Sequence, residues 1–561
     1  MKSSSDEPAI ASGMDNGADG YPLWPWPLLT ILGAASAVIL PFLIWGNPSG
    51  HDFEFHLNSW MEVAQQWSRG TIFPRWASLA GYGYGEPRFI FYPSLSWILG
   101  ATLGTLLPWK AVPGAYLCLA LTLAGSAMFL LARRWLSARD AVFAAVLYAV
   151  NPYHLLIVYW RSAFAELLAA AVFPLLLLFV FRLGDEGKQQ ARAIAALGLL
   201  VAAAWLSDAP AGVMVNYSLI LLLVAVALSQ RSCRVLVYGL SALGLGLALA
   251  GFYLLPAWYE QRWVDIYQAV SEGVRPQDNF LFAQTRDPLH HQFNLLISLV
   301  ALAQIVLIAL AAIWWKRWRR QLPRLWWVLA LWCGFAALLM FRFSGVAWSH
   351  LPKLEFVQFP WRWLLCMNVA FTLLLTTAWR WAVRGAVLLA LLGLVVFAGR
   401  RILPPWWDTA ADVAELHENI ETGSGYEGVD EYVPVTADPE KVDRNARRAT
   451  YEGSGNSRIH VFEWGPEEKL FSATVSAPGT MVLHLFNYPA WRAEVNGTPV
   501  AVQSQEGTGQ TEVPVSAGNN QVRLVFSRTW DRTAGAWISF VGLMTLAACM
   551  ISGRKPRVGL P

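Results

Sequence analysis

Long apolar segments separated by short polar ones dominate this chain. Most are roughly 17–24 residues long, the length that an α-helix needs to cross the hydrocarbon core of a bilayer. The pattern predicts a helix in each apolar run: 26–46, 93–108, 114–132, 140–157, 163–182, 192–207, 211–229, 234–256, 294–315, 324–341, 362–379, 385–399 and 534–552. We therefore expect an all-α polytopic membrane bundle of about 12–13 transmembrane helices.

The region between the last two apolar runs has a different pattern. Its first part, from Pro404 to Ala449, is acidic and polar, which predicts an extended linker with little regular structure. Apolar and polar residues then alternate with period two, in segments that begin at Arg458, Phe471, Met481 and Gln521. Asn496-Gly497 is a good signal for a two-residue hairpin turn. We expect a small antiparallel β-sandwich over 451–533, inserted before the last helix.

Composition supports the membrane assignment. The chain is 56% hydrophobic and only 14% charged, whereas soluble domains carry nearer a quarter charged residues. Many of the 30 tryptophans flank the apolar runs, as in an interfacial aromatic belt. The net charge of +4 is spread thinly over many loops, so we expect no nucleic-acid partner. The five cysteines lie in apolar runs without metal-ligand spacing, which favours free thiols.

Basic residues predict the orientation of the helices. From Arg133 onward, every second loop is rich in lysine and arginine, and the positive-inside rule places those loops in the cytoplasm. The basic loops contain Arg133/Arg134/Arg139, Arg182/Lys188/Arg192, Arg231/Arg234, Lys316/Arg317/Arg319/Arg320/Arg324, Arg380/Arg384 and Arg554/Lys555/Arg557. The protein is therefore expected to be a multi-pass protein of the plasma membrane, with the β domain and the first long loop, 47–92, outside the cell.

Counting crossings gives the domain plan and one open choice. If the polar tail 1–25 is cytoplasmic, one of the next two runs after 26–46 does not cross, and the short, proline-flanked 93–108 run is the weaker. We interpret it as re-entrant or juxtamembrane; the alternative is a full span with an external N-terminus. The predicted domains are 26–399 (transmembrane), 400–450 (linker), 451–533 (sandwich) and 534–561 (last helix and basic tail).

The stretch Gly50-His-Asp-Phe-Glu-Phe-His56 is the richest candidate for chemistry. It brings two carboxylates and two imidazoles within seven residues at the membrane surface. In a helix, Asp52 and His56 share one face, and in an extended chain Asp52, Glu54 and His56 do. Either arrangement offers a general base, with Asp52 and His56 as ligands for a divalent cation such as Mg or Mn. A solvated polar loop beside an interfacial helix explains the same spacing.

The remainder of the first loop adds cations and aromatic rings. Arg75 and Arg88 are candidates for phosphate binding, or else for snorkelling at the interface, and Glu86 lies between them. Glycines alternate with tyrosines over 81–85, a surface that suits sugar stacking or a lipid headgroup boundary.

Three more polar groups fall on the same predicted face. Arg161 and Glu166 lie at a helix start, where ionisable residues are costly unless they are paired or functional. Gln358 and Arg362 lie at the mouth of a late helix, while Asp208 has the position of an N-cap. Distant loops that each bring charged groups to one face of a helical bundle predict a polar site there.

These segments resemble a known family. The matching motifs are Gly50 to His56, Pro74-Arg-Trp, Tyr84-Gly-Glu-Pro, Phe91-Tyr-Pro, Asn151-Pro-Tyr, Arg161 with Glu166, Phe359-Pro-Trp-Arg and Tyr488-Pro-Ala-Trp. After about residue 25 the chain resembles the bacterial membrane family misleadingly labelled "6-pyruvoyl-tetrahydropterin synthase-related", which belongs with GT-C-type glycosyltransferases and YfhO-type membrane proteins. Pterin chemistry needs a zinc-binding His cluster in a soluble fold, which this sequence does not support.

The resemblance implies an activity and a set of site residues. GT-C enzymes transfer a sugar from a polyprenyl-phosphate carrier with an acidic residue of the first external loop, which here is Asp52, with Glu54 beside it. Arg161 and Arg362 are the implied ligands of the carrier phosphate. The wider substrate-binding set is His51, His56, Arg75, Glu86, Arg88, Glu166 and Gln358. Relatives often show a His where this chain has Asp208, so Asp208 stays outside the assignment.

Two other classes of function remain open. A transporter or flippase would use the same polar groups as a substrate path, but it would need charged residues midway along its spans, and here they lie at the ends. A non-catalytic scaffold would use its β domain to bind glycan or a partner protein. A lipid-linked-sugar glycosyltransferase acting on an extracytoplasmic acceptor is the preferred hypothesis.

Overall fold

The computed structural model describes residues 25–184, 188–314, 323–378, 380–401 and 407–552. Its helices of ten or more residues are α1 (Trp26–Ile39), α2 (Phe53–Ser68), α3 (Ser94–Leu106), α4 (Val112–Ala132), α5 (Ala138–Ala149), α6 (Val172–Arg182), α7 (Lys188–Ser207), α8 (Ala209–Gln230), α9 (Arg234–Leu249), α10 (Gly251–Glu260), α11 (Pro288–Trp314), α12 (Pro323–Leu339), α13 (Leu364–Ala378), α14 (Trp381–Arg401), α15 (Ala410–Thr422) and α16 (Trp530–Ser552). Shorter helices lie at Phe42–Trp45, Arg88–Phe91, Pro152–Leu156, Ile157–Arg161, Phe164–Ala169, Pro276–Asn279 and Gly345–His350. The predicted N-terminal tail and the basic residues at 316–320 and 554–557 lie outside the described residues.

The helices form a membrane bundle, as the apolar pattern predicted. Within the described ranges, eight helical stretches are long and apolar enough to cross a bilayer, and two further pairs are bent by 71° and 88° at short breaks. The eight are Trp26–Trp45, Trp109–Ala132, Ala138–Arg161, Phe164–Arg182, Gln189–Ser207, Ala209–Gln230, Pro288–Ile313 and Trp530–Ile551. Each of the thirteen apolar runs contains a helix. The all-α bundle is confirmed.

The 93–108 run forms a short helix. α3 has 13 residues, between Pro93 and a second proline, Pro108, that follows its C-terminus. Such a helix is about 20 Å long, less than the roughly 30 Å of a hydrocarbon core. Its length supports the interpretation of a helix that does not cross on its own.

A β-sandwich lies between α15 and α16. Its strands are β3 (Ala449–Glu452), β4 (Ser457–Trp464), β5 (Glu468–Val475), β6 (Gly479–Phe486), β7 (Trp491–Val495), β8 (Thr498–Val500), β9 (Gln503–Ser504), β10 (Gln510–Val515) and β11 (Gly518–Phe526). They pair antiparallel in two sheets, β3-β6-β10-β9 and β4-β5-β11-β7-β8. Asn496 and Gly497, both with positive φ, form the predicted hairpin turn between β7 and β8.

The linker expected to lack regular structure contains a helix, which corrects that prediction. α15 begins after a capping box, in which the Thr409 side chain and the Asp412 side chain bond each other's backbone, and it ends at Gly423 with φ +77°. Its buried Val413 and Ile420 face α2, where the Gln65 amide donates to the Ile420 carbonyl at 2.7 Å. The acidic composition favoured a linker, but the Thr-x-x-Asp capping box is a sequence signal for the start of a helix.

The β domain packs against the first loop of the bundle. Tyr84 is buried there, with its ring stacked on His484 at 3.8 Å and on Phe486 at 5.0 Å. Short strands β1 (Asn47–Pro48) and β2 (Trp407–Asp408) also tie the start of that loop to the segment before α15. The β domain and the Gly50–His56 stretch therefore lie at the same end of the bundle.

Candidate functional site

The Gly50–Asp52 backbone docks onto a break between two helices. Ser162, with φ 50°, separates the π-helical turn Ile157–Arg161 from the next helix. Its hydroxyl accepts from the Gly50 amide at 3.0 Å, and the Asp52 amide donates to the Arg161 carbonyl at 2.9 Å. A Cβ at Gly50 would lie 2.5 Å from the Arg161 carbonyl carbon, so only glycine allows this approach. The docking sets Asp52 beside Arg161.

Four charged side chains from three segments contact one another in series at this point, and we call this set the charged chain. Asp52 Oδ2 lies 3.4 Å from Arg161 Nη2, and Arg161 Nη1 donates to Glu166 Oε2 at 2.5 Å. The same Glu166 oxygen accepts from Arg362 Nε at 3.1 Å. Glu166 is buried, whereas Asp52 exposes 26% of its side chain. The charged chain thus has one end open to a ligand.

Aromatic rings and a tight turn hold the two arginines. The Arg161 guanidinium lies over the rings of Phe359 and Trp361, at 5.1 and 4.8 Å from their centroids, and these two rings stack on each other. Arg362 also donates to the Val357 carbonyl at 2.8 Å and to the Gln358 side chain at 3.0 Å. Gln358 (φ 63°, ψ −61°) is the centre of a γ-turn closed by the Phe359 amide and the Val357 carbonyl. Gln358, which we expected to bind substrate, thus accepts a hydrogen bond from Arg362.

Asp52 is held as a carboxylate. Burial raises its pKa, but the hydrogen bond from His51 and the charge of Arg161 outweigh that effect and hold the pKa well below its usual range. The hydrogen bond to Asp52, at 2.9 Å between Nδ1 and Oδ1, raises the pKa of the exposed His51. The pair therefore places a deprotonated acid and a protonatable imidazole side by side at the surface.

A cavity of about 360 Å³ opens beside this pair. It is lined by His51 and Arg161, by the aromatic residues Trp160, Phe293, Phe359 and Trp361, and by Gly273, Val274, Asn279, Asp287, Leu289 and His290. Aromatic walls with few convergent polar groups are typical of small-molecule sites. The charged chain meets the cavity at Arg161, and His51, the partner of Asp52, lines it as well.

The structure separates the other residues of the 50–56 stretch from this site. Glu54 is exposed, and its charge adds to the burial that raises the pKa of Asp408. His56 is buried, with Nδ1 2.6 Å from the Tyr92 hydroxyl, and burial lowers its pKa to about 4. His56 is engaged by Tyr92, and Asp52 by His51 and Arg161; the cation site expected at Asp52 and His56 stays a prediction. Among the described residues, no three His, Cys, Asp or Glu side chains are placed to hold a metal ion.

Three further predicted binding residues have structural partners elsewhere. Glu86 and Arg88 pair with each other at 2.6 Å, both buried, and Glu86 also accepts from the Val429 amide. The backbone amide of Arg75 donates to the Glu467 side chain of the β domain at 3.2 Å, and the Arg75 guanidinium lies over the Phe73 ring. The predicted sugar-stacking surface at 81–85 is likewise used for packing against the β domain. These side chains hold the first loop in place.

Sequence reasoning was right about Asp208 and missed several contributors. Asp208 is the N-cap of α8, and its carboxylate accepts from the Ala211 amide at 2.9 Å. The Tyr153 hydroxyl bonds Glu166 Oε1, and Ser162 positions the Gly50 loop. Tyr153 belongs to the Asn151-Pro-Tyr motif, so the sequence offered a signal for its place in the site. No motif marked the cavity residue His290.

The fold and the site define a polytopic membrane protein with a β-sandwich and a polar site at one end of its helical bundle. A model of the family described as "6-pyruvoyl-tetrahydropterin synthase related domain; membrane protein" matches residues 89–402, and the chain belongs to this family. No curated protein matches the chain.

Parts of this chain are similar to several solved structures. ArnT from Cupriavidus metallidurans bound to undecaprenyl phosphate is 16% identical, over 71% of this chain and 76% of that one, with a TM-score of 0.44. Archaeal oligosaccharyltransferase AglB from Archaeoglobus fulgidus, in complex with an inhibitory peptide and a dolichol-phosphate, is 13% identical over 72% and 56%, with a TM-score of 0.40. A complex of the Archaeoglobus enzyme with Zn and sulfate is 15% identical over 72% and 54%, with a TM-score of 0.35. This chain spans about half the length of that oligosaccharyltransferase.

Proposed function

We propose that the protein transfers a sugar from a polyprenyl-phosphate carrier to a hydroxyl acceptor, in the cavity beside Asp52 and Arg161. The observation that carries this proposal is the charged chain Asp52–Arg161–Glu166–Arg362, which meets an aromatic-lined cavity at one end of the bundle. An ionised carboxylate at the surface and two fixed guanidiniums behind it are the groups that such a transfer needs.

Each group has a chemical role in the transfer. The acceptor hydroxyl gives its proton to the Asp52 carboxylate, and its oxygen forms a bond to the anomeric carbon of the sugar. The bond between that carbon and the carrier phosphate breaks, and the phosphate leaves with the electron pair. Arg161 and Arg362 have guanidinium N–H groups beyond those bonded to Glu166, and these stabilise the leaving phosphate by charge-assisted hydrogen bonds.

An apolar groove of about 430 Å³ supports a lipid donor. It is lined by α3, the Phe164–Ala169 helix, α6 and α7: Leu95, Ile98, Leu99, Thr102, Leu168, Ala171, Val172, Leu175, Leu200, Ala203 and Ser207. Leu168 lies two residues after Glu166 on the same short helix, so the groove begins close to the charged chain. A prenyl chain in this groove would place its phosphate near the arginines.

The proposal is tested with protein in lipid nanodiscs and undecaprenyl phosphate as the probe. We expect native mass spectrometry to show binding to the wild type and to Asp52→Asn, and at least tenfold weaker binding to Arg362→Gln. With a panel of undecaprenyl-phosphate sugars, release of undecaprenyl phosphate should fall by about 10²–10⁴-fold in Asp52→Asn.

Glu54→Gln is the matched control, because Glu54 is an exposed carboxylate two residues away from Asp52. We expect less than a twofold change. Equal release by the wild type and Asp52→Asn would reject the assigned base. Equal binding by the wild type and Arg362→Gln would reject the assigned phosphate site.

A further inference from the structure

A row of uncharged polar side chains runs through the interior of the bundle, below the charged chain. Asn368, Thr372 and Thr376 follow one another at intervals of four residues along one face of α13, and each is fully buried. Gln304 of α11 is buried as well. Burial of polar groups inside a membrane protein costs free energy, so their arrangement needs a physical explanation.

These side chains have unused hydrogen-bonding groups. Within the described part of the chain, no protein partner bonds the Asn368 Oδ1, the Thr372 or Thr376 hydroxyl, or either amide atom of Gln304. A buried polar group without a partner costs about 1–3 kcal/mol, and native interiors leave few of them. Several such atoms in one region indicate that something polar satisfies them.

Gln304 and Thr372 lie at the same depth on adjacent helices. Near the starts of α11 and α13, the Phe293 and Trp361 rings are in contact at 5.6 Å. Gln304 follows Phe293 by the same number of positions as Thr372 follows Trp361, which places both about 16 Å deeper. At and just beyond this depth an apolar cluster joins α5, α11, α13 and α14: Phe143, Leu147, Leu307, Ile308, Phe371, Leu375 and Leu391.

Charged groups lie beyond both ends of the row. At one end the Asn368 amide donates to Asn151 Oδ1 at 2.9 Å, and Asn151 lies two residues before Tyr153, which bonds Glu166. At the other end Arg384 of α14 pairs with Asp140 of α5. Asp140 lies one helical turn before Phe143, a member of the apolar cluster.

We propose that this seam, lined by Asn151, Gln304, Asn368, Thr372 and Thr376, binds a file of water molecules that links the Glu166 cluster to the Asp140–Arg384 pair. Water can both donate and accept hydrogen bonds, so it can satisfy the donors and the acceptors of hydroxyl and carboxamide groups alike. A bare cation would find no compensating charge among these neutral side chains, and a lipid chain would leave every one of them unsatisfied. The inference is independent of the proposed sugar transfer.

Isosteric substitutions distinguish a hydrated seam from a dry one. If the seam is dry, Thr372→Val removes an orphaned hydroxyl and raises the Tm. If water fills it, the same change takes a partner from a bound water, and we expect the Tm to fall by about 2 °C. Thr377→Val is the matched control, since the Thr377 hydroxyl is already bonded to the Leu373 and Leu374 carbonyls of its own helix. An unchanged or raised Tm in Thr372→Val, measured against this control, would overturn the proposal.

Gln304→Leu, alone and combined with Thr372→Val, tests whether one file of water molecules contacts both helices. Both side chains would bond the same waters, so the loss of Tm in Thr372→Val/Gln304→Leu should be smaller than the sum of the single losses. Fully additive losses would overturn a continuous file.

A density map of the wild type in nanodiscs, at a resolution that shows waters around Glu166, gives the direct test. We expect peaks about 3 Å from the Thr372 hydroxyl and from the Gln304 amide. A map that shows the waters around Glu166 and no density in the seam would also overturn the proposal.

Discussion

Arg362 donates to Glu166 at 3.1 Å across 196 positions of sequence. The same carboxylate oxygen holds Arg161 at 2.5 Å, so a single buried acid fixes two guanidiniums that belong to separate segments. Glu166 therefore links the two arginines of the site.

The first prediction concerns Glu166→Gln. This change leaves two buried arginines without their shared counter-ion, and breaking a buried ion pair from one side costs about 3–5 kcal/mol. We expect a clear fall of Tm in detergent micelles. Glu421→Gln is the control, because Glu421 is an exposed residue of α15 at 3.8 Å from His417, and it should change the free energy of unfolding by less than about 0.5 kcal/mol. Equal Tm values for the two variants would contradict a supporting role of Glu166.

The second prediction concerns Gly50→Ala. The new methyl group would meet the Arg161 backbone at 2.5 Å, so the loop must move away and Asp52 must leave Arg161. We expect a lower Tm and loss of the Asp52-dependent release of undecaprenyl phosphate. Gly33→Ala in α1 has open space around it and should leave both unchanged or slightly raise the Tm. Full activity of Gly50→Ala would show that the docking is dispensable.

The third prediction concerns the pH response of His51. Asp52 raises the pKa of His51, so the contact stabilises the fold fully below the ordinary histidine pKa and loses its effect as pH rises through the folded-state pKa. Diethylpyrocarbonate reacts with neutral imidazole. We expect its reaction with His51, read by mass spectrometry, to begin at a higher pH in the wild type than in Asp52→Asn. Coincident curves would reject the His51–Asp52 hydrogen bond.

Asp52 titrates in the opposite sense. Its pKa is lowered in the folded protein, so its contribution to stability is present above the ordinary aspartate pKa and is lost as pH falls through the lowered value. The His51–Asp52 contact is accordingly strongest between these limits, from about pH 4 to pH 6.5.

The fourth prediction concerns the junction of the β domain and the bundle. Arg532 bonds Glu260 through two contacts of 2.7 and 2.8 Å, and the Tyr488 hydroxyl donates to the same carboxylate at 2.6 Å. Arg532→Met leaves Glu260 buried without its cation, and we expect a loss of about 3–5 kcal/mol.

A double variant and a surface pair provide the comparison. In Glu260→Leu/Arg532→Met both charges are removed, so much of the lost stability should return. Lys441→Met breaks only an exposed pair with Asp438 and should cost less than about 1 kcal/mol. If the double variant were as unstable as Arg532→Met, the Glu260 charge would not be the cause.

Local signals predicted the elements of this protein well. Each apolar run became a helix because its length and composition suit a bilayer, and the Asn496-Gly497 turn formed because both residues tolerate positive φ. The prediction for α15 was wrong, although its Thr409 and Asp412 capping box stood in the sequence. Its acidic exposed face concealed two apolar positions, Val413 and Ile420, whose burial depends on α2.

The sequence alone determined the membrane bundle, the inserted sandwich and the kinds of residue available for a site. Tertiary structure decided which of those residues meet: Asp52, Arg161, Glu166 and Arg362 converge, whereas Arg75, Glu86 and Arg88 are used for packing and Glu54 is exposed. Hydrophobicity and turn propensity act over a few residues and can be read along the chain. Pairing of charges across up to 196 positions depends on how the helices pack, and no local pattern records that.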